Sequence, residues 1–260
     1  MTLAMGALEE WMSSNRLRLN SAKTQFIWLG ARQQLAKLNL AAITAAYPHL
    51  TFSSTVRDLG VTLDQQLTFF PHIHRLCRDS YYQLLQLRTI VRSLNTEATA
   101  TLVHSFVVAR LDYCCTLYAG LPAGRLACLN RVLRSAARLI GRIHKFGHVT
   151  SYMLHDLHWL PLHLRISYRI VSLVWRSLLG IAPSYLSALC CPTSAVSDRR
   201  SLRSTDQGLL LVPFARSAAK QRRAFSVVWN GLPAELRLFP RSLVDTFCTH
   251  LKTWVGSAPE

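Results

Sequence analysis

The sequence predicts a mainly α-helical protein with a small β portion, most of it before Pro71, on three observations. From Pro71 onward apolar residues return at three- and four-residue steps through one stretch after another, the period of helices with one buried face. Between Leu50 and Leu63 they alternate instead, with Gly60 where a hairpin turn or bulge needs it. Gly and Pro punctuate the helical stretches at Gly120 and Pro122, at Gly141, and at Gly180 and Pro183, where one helix can stop before the next begins.

Taken in order, Leu3, Ala7, Leu8, Trp11 and Met12 form a helical stripe over residues 1–15, with Asn15 as its stop signal. Leu17 and Leu19 then alternate with Arg16 and Arg18, Asn20 and Ser21 supply a turn, and the apolar run 26–29 closed by Gly30 reads as a strand. Residues 31–46 are rich in Ala and Leu and read as a short helix or an irregular insert. The hairpin comes next, with Arg57 and Asp58 near its tip. A helix is expected from His72 to about Ser93, then one with Thr96 as N-cap and Glu97 in its first turn, running to about Tyr118. Arg125 to Ile140 and Leu162 to Leu179 are the next two. Residues 193–208 are polar and basic, as in a linker. The rest holds a strand-like run over 209–212, the aromatic run 225–229 and an amphipathic helix from about Leu243 to Trp254. The expected organisation is an N-terminal segment 1–70, a helical domain 71–192, the linker 193–208 and a C-terminal region 209–260.

Charge narrows the function. Half of the 260 residues are apolar, enough for a real core, yet the formal net charge is +17 from 30 basic and 13 acidic residues. The basic residues are 25 Arg and only 5 Lys. The planar, always charged guanidinium suits phosphate, so RNA, DNA or an RNA–DNA hybrid is the expected partner. A GC-rich coding sequence would raise the Arg share by itself, but it would leave the charge in place. At about 100° per residue, Arg131, Arg134, Arg138 and Arg142 share a wedge of about 80°, opposite Leu126, Leu129, Leu133, Ala136 and Ile140. Arg165, Arg169 and Arg176 fall within about 40° of one another on the following helix. Neither helix contains an acid. Like charges at this spacing repel, so a counter-charge is expected from phosphates or from acidic residues of another segment.

Several classes of chemistry find no support. Two-metal polymerase chemistry needs clustered carboxylates, and Asp58 and Asp64 stand without a second acidic pair, as turn and cap residues do. Cys114–Cys115 and Cys190–Cys191 are adjacent pairs, no Cys-x2-Cys occurs, and the histidine pairs at 144/148 and 155/158 lack a Cys partner in sequence. Nucleophile-elbow and phosphate-loop patterns are absent. No catalytic residue, metal ligand or cofactor is expected of these residues. Seven cysteines without framework spacing, no secretory leader and no bilayer-length apolar run fit an intracellular protein of the nucleus or cytoplasm, without a membrane partner.

Collinear blocks carry a resemblance. Trp11-Met12, Asn15, Leu17, Leu19-Asn20 and Lys23-Thr24 before an apolar strand look like the segment after the catalytic Asp-Asp hairpin in LINE-type (non-LTR) retrotransposon reverse transcriptases. VRDLGVTLD at 56–64 resembles the primer-grip hairpin of those enzymes. ARLDYCCTLYAGLP at 109–122, LHDLHWLPLHLRISYRI at 154–170, APSYL at 182–186 and RAFSVVWNGLP at 223–233 resemble, in order, their thumb and C-terminal region. The resemblance implies a palm remnant (helix, strand and primer-grip-like hairpin) before a helical thumb-like bundle. It implies a parent RNA-directed DNA polymerase requiring Mg²⁺, with the palm aspartates expected before Met1, so that nucleotide transfer is not expected of this chain alone. It also implies Lys23, Arg57 and Asp58 near the primer, with Arg131, Arg134, Arg138, Arg142, Arg165, Arg169 and Arg176 on backbone phosphates, in binding that is poor in sequence preference. Two rival readings stand beside it: a helical interaction protein whose basic face docks an acidic protein, and a retroelement relic without a stable fold. Oligomeric state is not legible in the sequence.

Overall fold

The structure, a computed structural model, describes residues 2–18, 20, 24–39, 52–195, 207–215 and 221–257. Lys23, most of the linker and the second half of the insert at 31–46 lie outside the described residues. The chain is mainly helical with a small two-stranded antiparallel sheet among the described residues, and it divides into two compact units, Met1–His72 and Ile73–Glu260.

In the first unit, α1 (Thr2–Ser14) and the single turn α2 (Arg32–Leu35) accompany a hairpin of β1 (Thr55–Asp58) and β2 (Val61–Asp64). Its register pairs Val56 with Leu63 and Asp58 with Val61. Leu59 (φ 44°) and Gly60 (φ 88°) form the two-residue turn, whose left-handed geometry matches strand twist. Asp64 ends β2 and caps the turn beyond it: its carboxylate accepts from the N–H groups of Thr68 (3.0 Å) and Phe69 (2.7 Å). The strand expected over 26–29 is not formed. Phe26 alone bridges Phe52, because the backbone then turns to other partners, with Gly30 donating to the Gln65 carbonyl.

The second unit is built on α3 (Phe70–Ile90), which starts at the boundary and runs into a 3-10 turn, Val91–Ser93. Next comes α4 (Thr96–Val103). Its cap is Asn95 rather than Thr96: the Asn95 backbone is extended and its side chain accepts from the Ala98 N–H at 2.8 Å. The helix does not run on to Tyr118. It widens into a π segment, His104–Val108, resumes as α5 (Ala109–Asp112), and breaks where Cys114 turns left-handed at φ 52°. That break drops Cys115 and Tyr118 into the core.

The two central helices are α6 (Ala123–Ile140) and α7 (Leu162–Leu178), joined through a second π segment, Tyr152–Asp156. They bury Leu129, Val132, Leu133 and Ala136 from one and Leu162, Ile166, Ile170 and Val174 from the other, at about 1.5–3 kcal/mol for each large side chain. Gly141 does close α6, but with φ −78°; the left-handed residue is Arg142, at φ 50°. Gly141 is required for another reason, since a Cβ there would lie 2.7 Å from Cε1 of Tyr152.

After α8 (Ser184–Ser187) come the elements α9 (Phe225–Asn230), α10 (Ala234–Arg237) and α11 (Val244–Ser257), with α9 and α11 packing on α7. Phe247 stacks on Trp175 with ring centroids 4.0 Å apart, and Arg241 lies 4.4 Å from the same indole. The strand-like run 209–212 reduces to one bridge, Leu210 with Pro192, because the Asn230 amide occupies both backbone groups of Leu210, at 2.9 and 2.8 Å. No helix among the described residues is long and apolar enough to cross a membrane.

Candidate nucleic-acid interface

The ten residues expected to meet nucleic acid separate into groups once their neighbours are known. Lys23 lies outside the described residues. Arg57 and Asp58 end β1 beside the turn, and both are exposed. Arg131 and Arg134 stand exposed on the outer face of α6, and neither makes an ion pair among the described residues. Arg176 is likewise exposed near the end of α7.

Arg165 and Arg169 have found the counter-charge that their spacing demanded, and it is protein. Asp112 Oδ1 lies 2.9 Å from Arg165 Nη1 and Oδ2 lies 3.0 Å from Arg169 Nη2, with 11%, 46% and 15% of the Arg165, Arg169 and Asp112 side chains exposed. Arg165 is therefore a structural residue rather than a phosphate contact, because a guanidinium enclosed against a carboxylate has neither its charge nor its access to spare. Arg169 keeps an exposed flank. The triad lines a groove of about 690 Å³ along α7, with Arg176, Lys252 and Trp159 on its walls.

Arg138 and Arg142 are held differently. Arg142 sits beyond the end of α6, and its Nη2 donates to the carbonyls of Val91 (3.2 Å) and Leu94 (2.9 Å). Arg138 Nη2 makes a long 3.5 Å contact with the Gly147 carbonyl, and its Nε is buried without an acceptor among the described residues. Backbone carbonyls fix a guanidinium but leave its charge uncancelled. Between the 3-10 turn and the end of α6 these two line a second groove, of about 640 Å³, together with Arg88, Arg92, His144 and Lys145, and no carboxylate among the described residues lines it.

Sequence reasoning missed Asp112 and did not connect Arg88, Arg92 and Lys145 with the cationic face of α6. The signal for the arginines was present: Arg88 and Arg92 are four residues apart and off the apolar stripe of their helix. Asp112 gave none, since it lies 53 positions from Arg165.

The sulfur chemistry of this unit is quiet. Burial pushes the Cys115 thiol up to about 11, although Arg169 pulls against the shift, and burial beside Cys128 raises Cys77 to about 12. Both remain thiols at neutral pH and are poor nucleophiles. Among the described residues no group of three or more His, Cys, Asp or Glu side chains is placed to share a metal ion. No protein-family model matches the chain, and neither a curated protein nor a solved structure was found to be similar to it, so what this surface does is read from its own side chains.

Proposed function

We propose that the chain is a segment of a LINE-type reverse transcriptase, an RNA-directed DNA polymerase, and that its helical unit is a thumb-like grip on the phosphates of an RNA–DNA hybrid. The hairpin at 55–64 then corresponds to the primer grip, with Arg57 and Asp58 at its end. Mg²⁺ and nucleotide transfer belong to the parent enzyme's palm aspartates.

One observation carries the binding function: Arg131 and Arg134 project from α6 with no acidic partner among the described residues, while the opposite side of the helix is core. A solvated helix face normally interleaves Glu with Arg, and α6 contains no acid. Unpaired guanidiniums in a row gain most from a ligand that carries regular negative charge.

The test is a filter-binding series on a blunt RNA–DNA hybrid across salt concentrations. About five phosphate contacts predict that log K falls with log salt at a slope between about −3.5 and −4.5. Replacing Arg131 and Arg134 by Gln should make that slope shallower by nearly 2 and leave the helical circular-dichroism spectrum unchanged. A flat salt response of the unaltered chain refutes the binding function.

A further inference from the structure

The groove at the end of α6 has features that a duplex-binding face does not need. We propose that it is a site for an unpaired nucleic-acid strand, continuous with the arginine row of α6, in which the groove holds the phosphates and Phe146 at its rim stacks a base. This rests on the nucleic-acid reading above and extends the α6 arginine row into a groove of its own.

The first observation is electrostatic. Arg88, Arg92, Arg138, Arg142 and Lys145 converge on one cavity, and among the described residues no carboxylate lines it. Its volume of about 640 Å³ lies within the range of ligand-binding clefts. Elsewhere in the same unit two converging arginines share Asp112, whereas here Arg142 is pinned by the carbonyls of Val91 and Leu94. The pinning fixes the cation in advance of any ligand, and the buried, unaccepted Nε of Arg138 leaves a donor unused. Such an arrangement is repulsive until an anion of several charges enters.

The second observation is the ring. Phe146 is 82% exposed, and it sits in the loop that supplies the groove's wall. His144 is 5.9 Å from it, ring to ring, and Lys145 Nζ lies 5.4 Å from its centroid. An apolar ring held out in water beside a lysine ammonium, next to a cationic groove, is the arrangement by which proteins stack bases while tracking a backbone. Bases inside a duplex already stack on each other and present only their edges in the grooves, so an exposed ring stacks at least cost on the open base faces of an unpaired strand.

Continuity favours a strand over a mononucleotide. Arg131, Arg134 and Arg138 fall within about 60° on α6 and span roughly 10 Å of its length, leading into the groove. A chain of phosphates can follow that row. A single nucleotide can occupy only its end.

The experiment compares the full chain with Phe146→Ala and Phe146→Trp by fluorescence anisotropy. The probes are labelled oligothymidylate and oligouridylate of about twelve nucleotides, a length within known single-strand site sizes, and the blunt hybrid duplex. Phe146→Ala should weaken both unpaired probes about tenfold, and Phe146→Trp should restore them, while the hybrid changes less than about twofold. Comparable losses on the DNA and RNA probes are expected, because stacking uses the face common to all bases. Unchanged affinity for both unpaired probes, an equal loss on the hybrid, or complete displacement of the probes by ATP with no dependence on oligonucleotide length would each overturn the strand site. If the hybrid shows its salt slope while Phe146→Ala is silent on unpaired probes, this inference alone falls. If the unaltered chain ignores the hybrid, the proposed function falls and the Phe146 effect is judged on the unpaired probes.

Discussion

Removing the carboxylate of Asp112 is the sharpest perturbation the fold offers. It lies 2.9 Å from Arg165 and 3.0 Å from Arg169, and of the three side chains only Arg169 has substantial exposure, at 46%. Two unit charges about 4 Å apart at an effective dielectric of about 20 attract by about 4 kcal/mol. The enclosed Arg165 pair keeps most of that, whereas the half-exposed Arg169 pair is screened to about 1 kcal/mol or less. Removing one partner of a buried pair costs about 3–5 kcal/mol, chiefly because the other charge is stranded. Asp112→Asn keeps the volume and one acceptor, so about 3 kcal/mol is expected, a fall in Tm of about 6–12 °C for a domain of this size. Urea and thermal denaturation followed by circular dichroism measure it. Adding Arg165→Met removes the stranded charge, so the double variant should lie closer to the unaltered chain than Asp112→Asn does. A single variant within about 0.5 kcal/mol of the original, or two substitutions that simply add, would refute the account of Arg165 as an internal counter-ion.

Other substitutions probe the local rules. Asn95→Ala should cost about 1 kcal/mol in urea denaturation, whereas Thr96→Ala should cost much less, since the cap hydrogen bond belongs to Asn95. Gly141→Ala keeps an allowed φ but drives a methyl to 2.7 Å from Tyr152, so a loss of about 1–3 kcal/mol is expected, relieved in part when Tyr152 is shortened to Leu. Burial alone would raise Asp64, but the N–H groups of Thr68 and Phe69 outweigh it and hold its carboxyl below the usual 3.8. A depressed folded-state value stabilises above the unfolded one and loses that contribution as pH falls through the folded value. Asp64→Ala should therefore cost about 1 kcal/mol at neutral pH, and the difference from the unaltered chain should shrink as acid unfolding is tracked below about pH 4.

The long helices α3, α6 and α7 were legible because each carries its own periodic signal: the apolar stripes of α6 and α7 fix which faces are buried without reference to anything else in the chain. The hairpin was legible through Gly60, a residue that tolerates the positive φ its turn requires. What could not be read depends on who stands opposite. The run 26–29 has strand composition, yet among the described residues Phe26 finds a single bridge partner in Phe52. The arginines on and just past α6 and on α7 look alike in sequence, but three fates await them: exposure for Arg131 and Arg134, neutral carbonyls for Arg142, and a carboxylate for Arg165. No local pattern distinguishes those fates, because each is decided by a residue from a different element.

The π segment His104–Val108 has a consequence for how that carboxylate is delivered. A π turn accommodates one residue more than the α-helix around it, so everything downstream is rotated by about 100° relative to an unbroken helix. Asp112 lies downstream. Loss of a single amino acid from the wide turn would keep a helix there and swing the carboxylate off its target, leaving two cations facing each other across an emptied gap. In this protein an insertion inside a rod, invisible to any tally of charges, aims the anion.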